Sequence, residues 1–351
     1  MPFDAPPSRQ ARDRHAVAHW LFALCGMILV MVALGGATRL TGSGLSIMEW
    51  APLRGMLPPA SEAEWNRLDA LYRQIPQYAL VNQGFGIEGF KEIFWLEWLH
   101  RFWGRLIGLA FIVPLTVLWW RGAVPRSLLP RLVGLFLLGG MQGAVGWFMV
   151  ASGFFPDATT VSPYRLVMHL GLALVLYAAI LWTALGLRDG PTGTAGPRRL
   201  VQATTACVAL TILAGGFVAG LRAGLDYNTF PMMAGQVVPE GYARLSPWLL
   251  NWVENIAAVQ FNHRALATLT GLLAAASLWA GWHGPARPGL LALVAAVGVQ
   301  YALGVATLLY VVPVGLGTLH QTMAVLVLTA ALVVLHQLRA RPAPLCRPAP
   351  L

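Results

Sequence analysis

Four histidines stand in two similar settings. His100 and His263 each open a His-Arg pair, in HRFWGRLIG and HRALATLTG, with a glycine eight residues after the histidine. His169 and His320 lie in MHLGLALVL and LHQTMAVLV. Neutral imidazole is a metal ligand, and two imidazoles facing each other in an apolar helix bundle can hold a planar metal macrocycle. Zinc would ordinarily gather Cys, further His or carboxylates into a compact tetrahedron, so two separate His pairs point to two hemes. For any single histidine the plainer reading is a polar tip at the headgroup level, and that is the reading for His15, His19, His283 and His336. Four at one depth, paired by a repeat, favour ligands.

Other residues near these histidines carry chemistry of their own. Glu97 precedes His100 by three residues and so shares its helix face. Apolar surroundings should favour the neutral carboxyl, which suits proton transfer, whereas pairing with Arg101 or Lys91 would make it a surface charge. The matching position in the second half is Gln260, which does not titrate. Arg101 and Arg264 are candidates for charge-assisted bonds to heme propionates, or for snorkelling to lipid phosphate. Gly104, Gly108, Gly171, Ala267, Gly271 and Ala324 would let a large ring approach the backbone, or serve ordinary helix packing.

These residues must be positioned by membrane helices. The 351-residue chain is 57% hydrophobic and 11% charged, which excludes a soluble globular protein. Runs near the bilayer-crossing length of about 20 residues occur at Trp20–Arg39, Leu99–Trp120, Leu132–Ala151, Arg165–Gly186, Leu200–Leu221, Phe261–Trp282, Leu290–Val311 and Gly317–Leu338. An all-α polytopic membrane protein of eight transmembrane helices is expected. The first run lacks a small-residue cleavage site and reads as a retained span. The four histidines fall in the first turn or two of the even-numbered spans.

With eight spans both termini share a side. Thirteen of the 24 basic residues, from Arg9, Arg12 and Arg14 to Arg339, Arg341 and Arg347, fall on that side with only Asp4, Asp13 and Asp189 against them. The other side is balanced, so the net charge of +10 is a positive-inside signature and requires no nucleic-acid partner. A bacterial inner-membrane protein with cytoplasmic termini and outward histidines is expected. Cys25 and Cys207 lie in spans and Cys346 in the tail, so no disulfide framework is expected. In the outer loop 40–98, Ser61 and Glu64 have capping-box spacing, while Trp65, Leu68, Leu71 and Ile75 form one stripe. That segment is expected as a short helix on the membrane surface.

Four patterns recur in order: GGATRLTGSGL from Gly35 with GGFVAGLRAGL from Gly215, the two His-Arg segments, QGAVG from Gln142 with QYALG from Gln300, and the segments around His169 and His320. Two pseudo-symmetric four-helix bundles follow, related by an axis along the membrane normal. Residues 1–190 form the N-terminal half, residues 191–340 the C-terminal half, and residues 341–351 a Pro-rich disordered cytoplasmic tail.

EWLHRFWGRLIG, YNTFPMM and NWVENIAAVQFNHRALA resemble the signatures of the heme A synthase family, closest to its proteobacterial and mitochondrial branch, and the resemblance covers essentially all eight spans. Other members carry a cysteine pair in an outer loop that this chain lacks, so a thiol relay there is not expected. The resemblance implies an oxidoreductase that converts a methyl group of heme O to a formyl group, making heme A for cytochrome oxidase. It further implies that His263 and His320 bind a heme b cofactor, that His100 and His169 hold the substrate heme O, and that Glu97 is the catalytic acid or base. The implied partners are the farnesyltransferase that makes heme O, an unidentified electron donor and membrane lipid, with a homo-oligomer compatible. A diheme b-type membrane electron carrier explains the histidines equally well, but such carriers stack hemes across the membrane, whereas these four are expected at one face. A transporter would need broken helices and midplane polar residues.

The charge split yields a direct test. A reporter active only in the periplasm should work when fused near Ala60 and fail near Gly122; the reverse result would move all four histidines to the inner face.

Overall fold

The computed structural model describes residues 9–52, 54–188 and 196–339. The expected disordered tail lies outside them. Among the described residues the regular structure is helical, apart from one isolated Met233–Gln236 bridge. The long helices are α1 (Arg9–Leu40), α4 (Ile87–Trp120), α5 (Leu129–Val150), α6 (Pro163–Leu187), α7 (Arg198–Gly220), α8 (Ile256–Ala280), α9 (Arg287–Leu309) and α10 (Val314–Gln337). Two short ones, α2 (Glu62–Tyr72) and α3 (Pro76–Leu80), lie in the loop between α1 and α4 that the sequence reading places outside.

Seven of the described helices are long and apolar enough to cross a membrane, against the eight expected. The difference is α8, which has spanning length. Gln260, Asn262, His263 and Arg264 crowd its first turns and dilute its apolar character. Helix α1 packs on α4, α6 and α10; α4, α5 and α6 adjoin in series, as do α7, α8, α9 and α10, and α7 closes against α10. Leu21, Leu24, Leu132, Ile180, Leu293 and Ala331 are among the buried residues of the main core.

The expected span boundaries need correction at two helices. Helix α1 starts at Arg9 instead of Trp20. Helix α4 starts at Ile87 instead of Leu99, which places His100 in its fourth turn, while His169, His263 and His320 sit in second turns. The cause of the α4 extension is a second core. Phe90, Ile93 and Phe94 recur at helical spacing and are buried against Leu45, Leu68, Tyr72 and Ile75 of the outer loop.

Helix α2 therefore does not lie apolar-side-down on lipid. Its stripe faces α4, and the Trp65 ring meets those of Phe94 at 4.8 Å and Trp95 at 5.7 Å. Ser61 caps α2 by accepting from the Glu64 N–H at 3.3 Å. The Glu64 carboxylate instead takes Arg67, which also bridges to Glu49. Hydrogen bonds from Arg67 hold both carboxyls below their ordinary range.

Phe90 is fully buried against Trp65, Tyr72 and Phe94. Phe90→Ala should cost this outer core about 3–5 kcal/mol. Faster proteolysis between residues 41 and 86, with helical circular dichroism unchanged, is the expected result; unchanged proteolysis would show that the loop is held elsewhere.

Candidate functional site

Each of the four histidines lies against a glycine of another helix. A Cβ added to Gly35, Gly146, Gly215 or Gly304 would stand 3.0, 2.9, 2.9 or 2.9 Å from the Cε1 of His100, His169, His263 or His320 respectively. Side-chain carbon at those positions would displace the ring, so the absence of a side chain is what lets each imidazole sit there. Of the small residues expected to admit a large ring, Gly104 lies near Met31, Gly171 near Leu213 and Gly271 near Val297, while Gly108 has no neighbouring atom within 4 Å. The glycines that seat the imidazoles sit in two of the four repeated patterns, which was the available signal.

The structure brings the four histidines together in two pairs. His263 and His320 face each other with centroids 6.5 Å apart and planes at 89°. Imidazoles sharing one metal ion on a common axis, each about 2 Å from it, would have centroids roughly 6 Å apart, so the spacing of this pair leaves room for one metal ion. His100 and His169 lie within electrostatic reach of each other. Among the described residues no group of three or more His, Cys, Asp or Glu could hold a metal ion. Two-ligand sites of this kind suit a metal that brings its own equatorial ligands, as in heme. Nδ1 of His263 is 3.1 Å from the Thr211 carbonyl, which fixes the proton on that nitrogen and leaves Nε2 for a metal. Nδ1 of His100 and of His320 are buried without a partner.

Above the rings the two halves repeat one clamp. Arg101 donates to the carbonyls of Ile47 (2.7 Å) and Glu49 (2.9 Å) and to the Glu97 carboxylate one turn back. Arg264 donates to the carbonyls of Tyr227 (2.7 Å) and Thr229 (2.9 Å) and to the Gln260 side-chain oxygen (2.8 Å), also one turn back. The acceptor pairs are separated by 180 positions, the same shift that relates Gly35 to Gly215. Both guanidiniums thus have protein acceptors. Snorkelling is not what holds them, and a propionate contact would have to be made by the remaining N–H groups.

Glu97 is only 2% exposed, so it is not a surface charge. Its carboxylate accepts from Arg101, from the Ser46 hydroxyl at 2.7 Å and from the Ile47 N–H at 2.9 Å. This is a donor-only surrounding, the pattern an ionised carboxylate accepts, and not the bare apolar pocket expected from the sequence. Lys91 is paired with Glu88 instead. Residues that the sequence reading missed include Ser46, Gln142 and Gln300. Gln142 touches His169 and Gln300 touches His320.

Comparison with known proteins bears on this arrangement. A family model described as cytochrome oxidase assembly protein, COX15-CtaA, matches residues 18–332. A protein of Granulibacter bethesdensis named heme A synthase is 62% identical over 336 residues, covering 94% of this chain and 89% of the relative. Proteins of the same name from Rhodospirillum centenum and Parvibaculum lavamentivorans are 50% and 46% identical, covering 95% and 93% of this chain and 91% and 95% of the relatives.

The repeated clamp makes a stability prediction. Because Gln260 serves Arg264 in the same way, Glu97→Gln should fold normally. Glu97→Leu removes the charged partner of Arg101 and the acceptor of the Ser46 hydroxyl and Ile47 N–H, and should cost about 3–5 kcal/mol. Thermal melting in detergent should leave the Gln variant near wild type and lower the Leu variant clearly; equal melting would show that Arg101 does not need the acceptor.

Proposed function

The chain belongs to the COX15-CtaA family of cytochrome oxidase assembly proteins, and on that premise we propose that it is a heme A synthase. It oxidises a methyl group of heme O to a formyl group, and the product serves cytochrome oxidase. The observation that carries this reading is the repeated seat of imidazole against glycine, with His263 and His320 spaced for one iron. The diheme carrier lacks support from the relatives compared above, which bear the synthase name.

On this reading α8 is the eighth span, and the halves 1–190 and 191–340 are four-helix bundles related through the repeat. Both termini face the cytoplasm of a bacterial inner membrane, with the histidines toward the periplasm. His263 and His320 hold heme b, and His100 and His169 hold heme O. Bound heme b would supply electron-transfer chemistry. The Thr211 carbonyl orients His263 for that role, and Arg101 and Arg264 keep the outer loops closed over the sites. The farnesyltransferase supplies heme O, and a separate donor supplies electrons.

Glu97 is the proposed proton-exchanging group. The second half retains the clamp with an amide, so the clamp alone does not call for a carboxylate. Charge is what the first half adds. Proton exchange would occur at Oε2, which already shares a proton donor, the Ser46 hydroxyl. A purely structural Glu97 is the second reading, favoured by its four hydrogen bonds.

Co-expression with the heme O-forming enzyme, followed by chromatography of extracted hemes, tests these roles. His263→Ala or His320→Ala should remove the resident low-spin heme. His100→Ala or His169→Ala should spare most of it and abolish heme A; an equal fall in heme for all four would refute the division. Glu97→Gln should retain the resident heme and lower heme A formation by about 10²–10⁴-fold. Near-normal heme A in that variant would leave the structural reading of Glu97 standing.

A further inference from the structure

The arginines at the histidine-bearing ends of the helices are unequally satisfied. Arg101 and Arg264 have their clamps, and Arg105 donates to the carbonyls of Ala51 and Pro52. Arg39, in the last turn of α1, has a single acceptor, the Ala219 carbonyl at 2.9 Å. Its Nε is buried without a partner. Arg222, exposed just past the end of α7, lies within electrostatic reach of Arg39. Among the described residues it makes no side-chain hydrogen bond, and neither guanidinium is paired with a carboxylate. Two like charges so placed, one of them on a helix long and apolar enough to cross a membrane, are costly unless an anion joins them.

Their position says which anion. Arg39 follows Gly35 by four residues, so it stands one turn further along the same face of α1, past the seat of His100. Arg39 and Ala219 are separated by the 180 positions that relate Gly35 to Gly215, so equivalent helix ends meet at this bond. The same shift relates Gly42 to Arg222, and both have left-handed backbone, with φ of 71° and 54°. The first half makes this turn with glycine, which adopts it without strain, whereas the second keeps a side chain there at a conformational cost. The turn itself does not call for a guanidinium.

We propose that Arg39 and Arg222 form a seat for a carboxylate, and that its occupant is a propionate of the heme O held by His100 and His169. Guanidinium binds carboxylate through paired, charge-assisted hydrogen bonds, and the unused N–H groups of Arg39 supply them. The inference rests on the proposed heme A synthase reading, with its substrate in the N-terminal half.

The test titrates full-length protein, carrying its resident heme in bilayer discs of phosphatidylcholine, with heme O and with heme O dimethyl ester. Esterification removes the propionate charges and leaves the iron and the farnesyl chain. Wild type should bind heme O about 10–100-fold more tightly than the ester. In Arg39→Gln heme O affinity should fall toward that of the ester, with the resident heme spectrum unchanged. An undiminished ester penalty in that variant would overturn the proposal, because loss of the Ala219 bond alone weakens both ligands alike. Should Arg39→Gln fail to fold, Arg222→Gln, which has no hydrogen bond to lose, should narrow the same ratio; an unchanged ratio there would also overturn it. If the seat instead takes the phosphate of an anionic lipid, Arg39→Gln will shed phosphatidylglycerol from the purified protein and keep the wild-type ratio, which refutes a propionate. Wild-type protein that binds neither heme O nor its ester would overturn the synthase reading and this inference with it.

Discussion

A guanidinium in a membrane helix is stable only where acceptors reach it, because the hydrocarbon interior offers none. In this protein Arg101 and Arg264 meet that requirement in the same way. Each takes two backbone carbonyls from a loop that precedes its helix and one side-chain oxygen from the preceding turn. The loops are thereby drawn over the helices that carry His100 and His263. Arg105 adds to the first loop by donating to the carbonyls of Ala51 and Pro52. Further order in the first loop follows: Glu49, whose carbonyl Arg101 holds, is gripped at its side chain by Arg67, and α2 is fixed against the extended α4.

Below the clamps the governing constraint is steric. An imidazole can approach a neighbouring helix as closely as these four do only where that helix has no Cβ. Gly35 and Gly215 do this for the first histidine of each pair, Gly146 and Gly304 for the second. The adjacent glycines of the Gly-Gly steps have a different task. Gly36 lies against Gln321 of α10, and Gly216 lies against Val167 and Leu170 of α6, so each step serves a ring on one side and a further helix on the other. Close packing of α1 on α10 and of α7 on α6, and the seating of the histidines, thus depend on the same two-residue steps.

Against this shared frame one difference between halves stands out as chemistry. The carboxylate of Glu97 stands where the second clamp has the amide of Gln260. That difference is not needed to hold the helices together, since each clamp closes with its own version.

Helical class and most of the spans were legible in the residues themselves, because hydropathy is a property of a linear stretch. The repeat exposed the four histidines and the Glu97–Gln260 contrast, because it aligns positions without requiring their geometry. It also contained Gly35, Gly146, Gly215 and Gly304, but a glycine in a membrane helix is so ordinary that nothing in the sequence says which one a ring will meet. The start of α4, the burial of Glu97 and the Gln142–His169 contact were decided only by the tertiary structure. So were the carbonyls of Ile47, Glu49, Tyr227 and Thr229: every residue has a carbonyl, and which one meets an arginine some 35–55 residues away depends on the path of the loop between them, not on residue type.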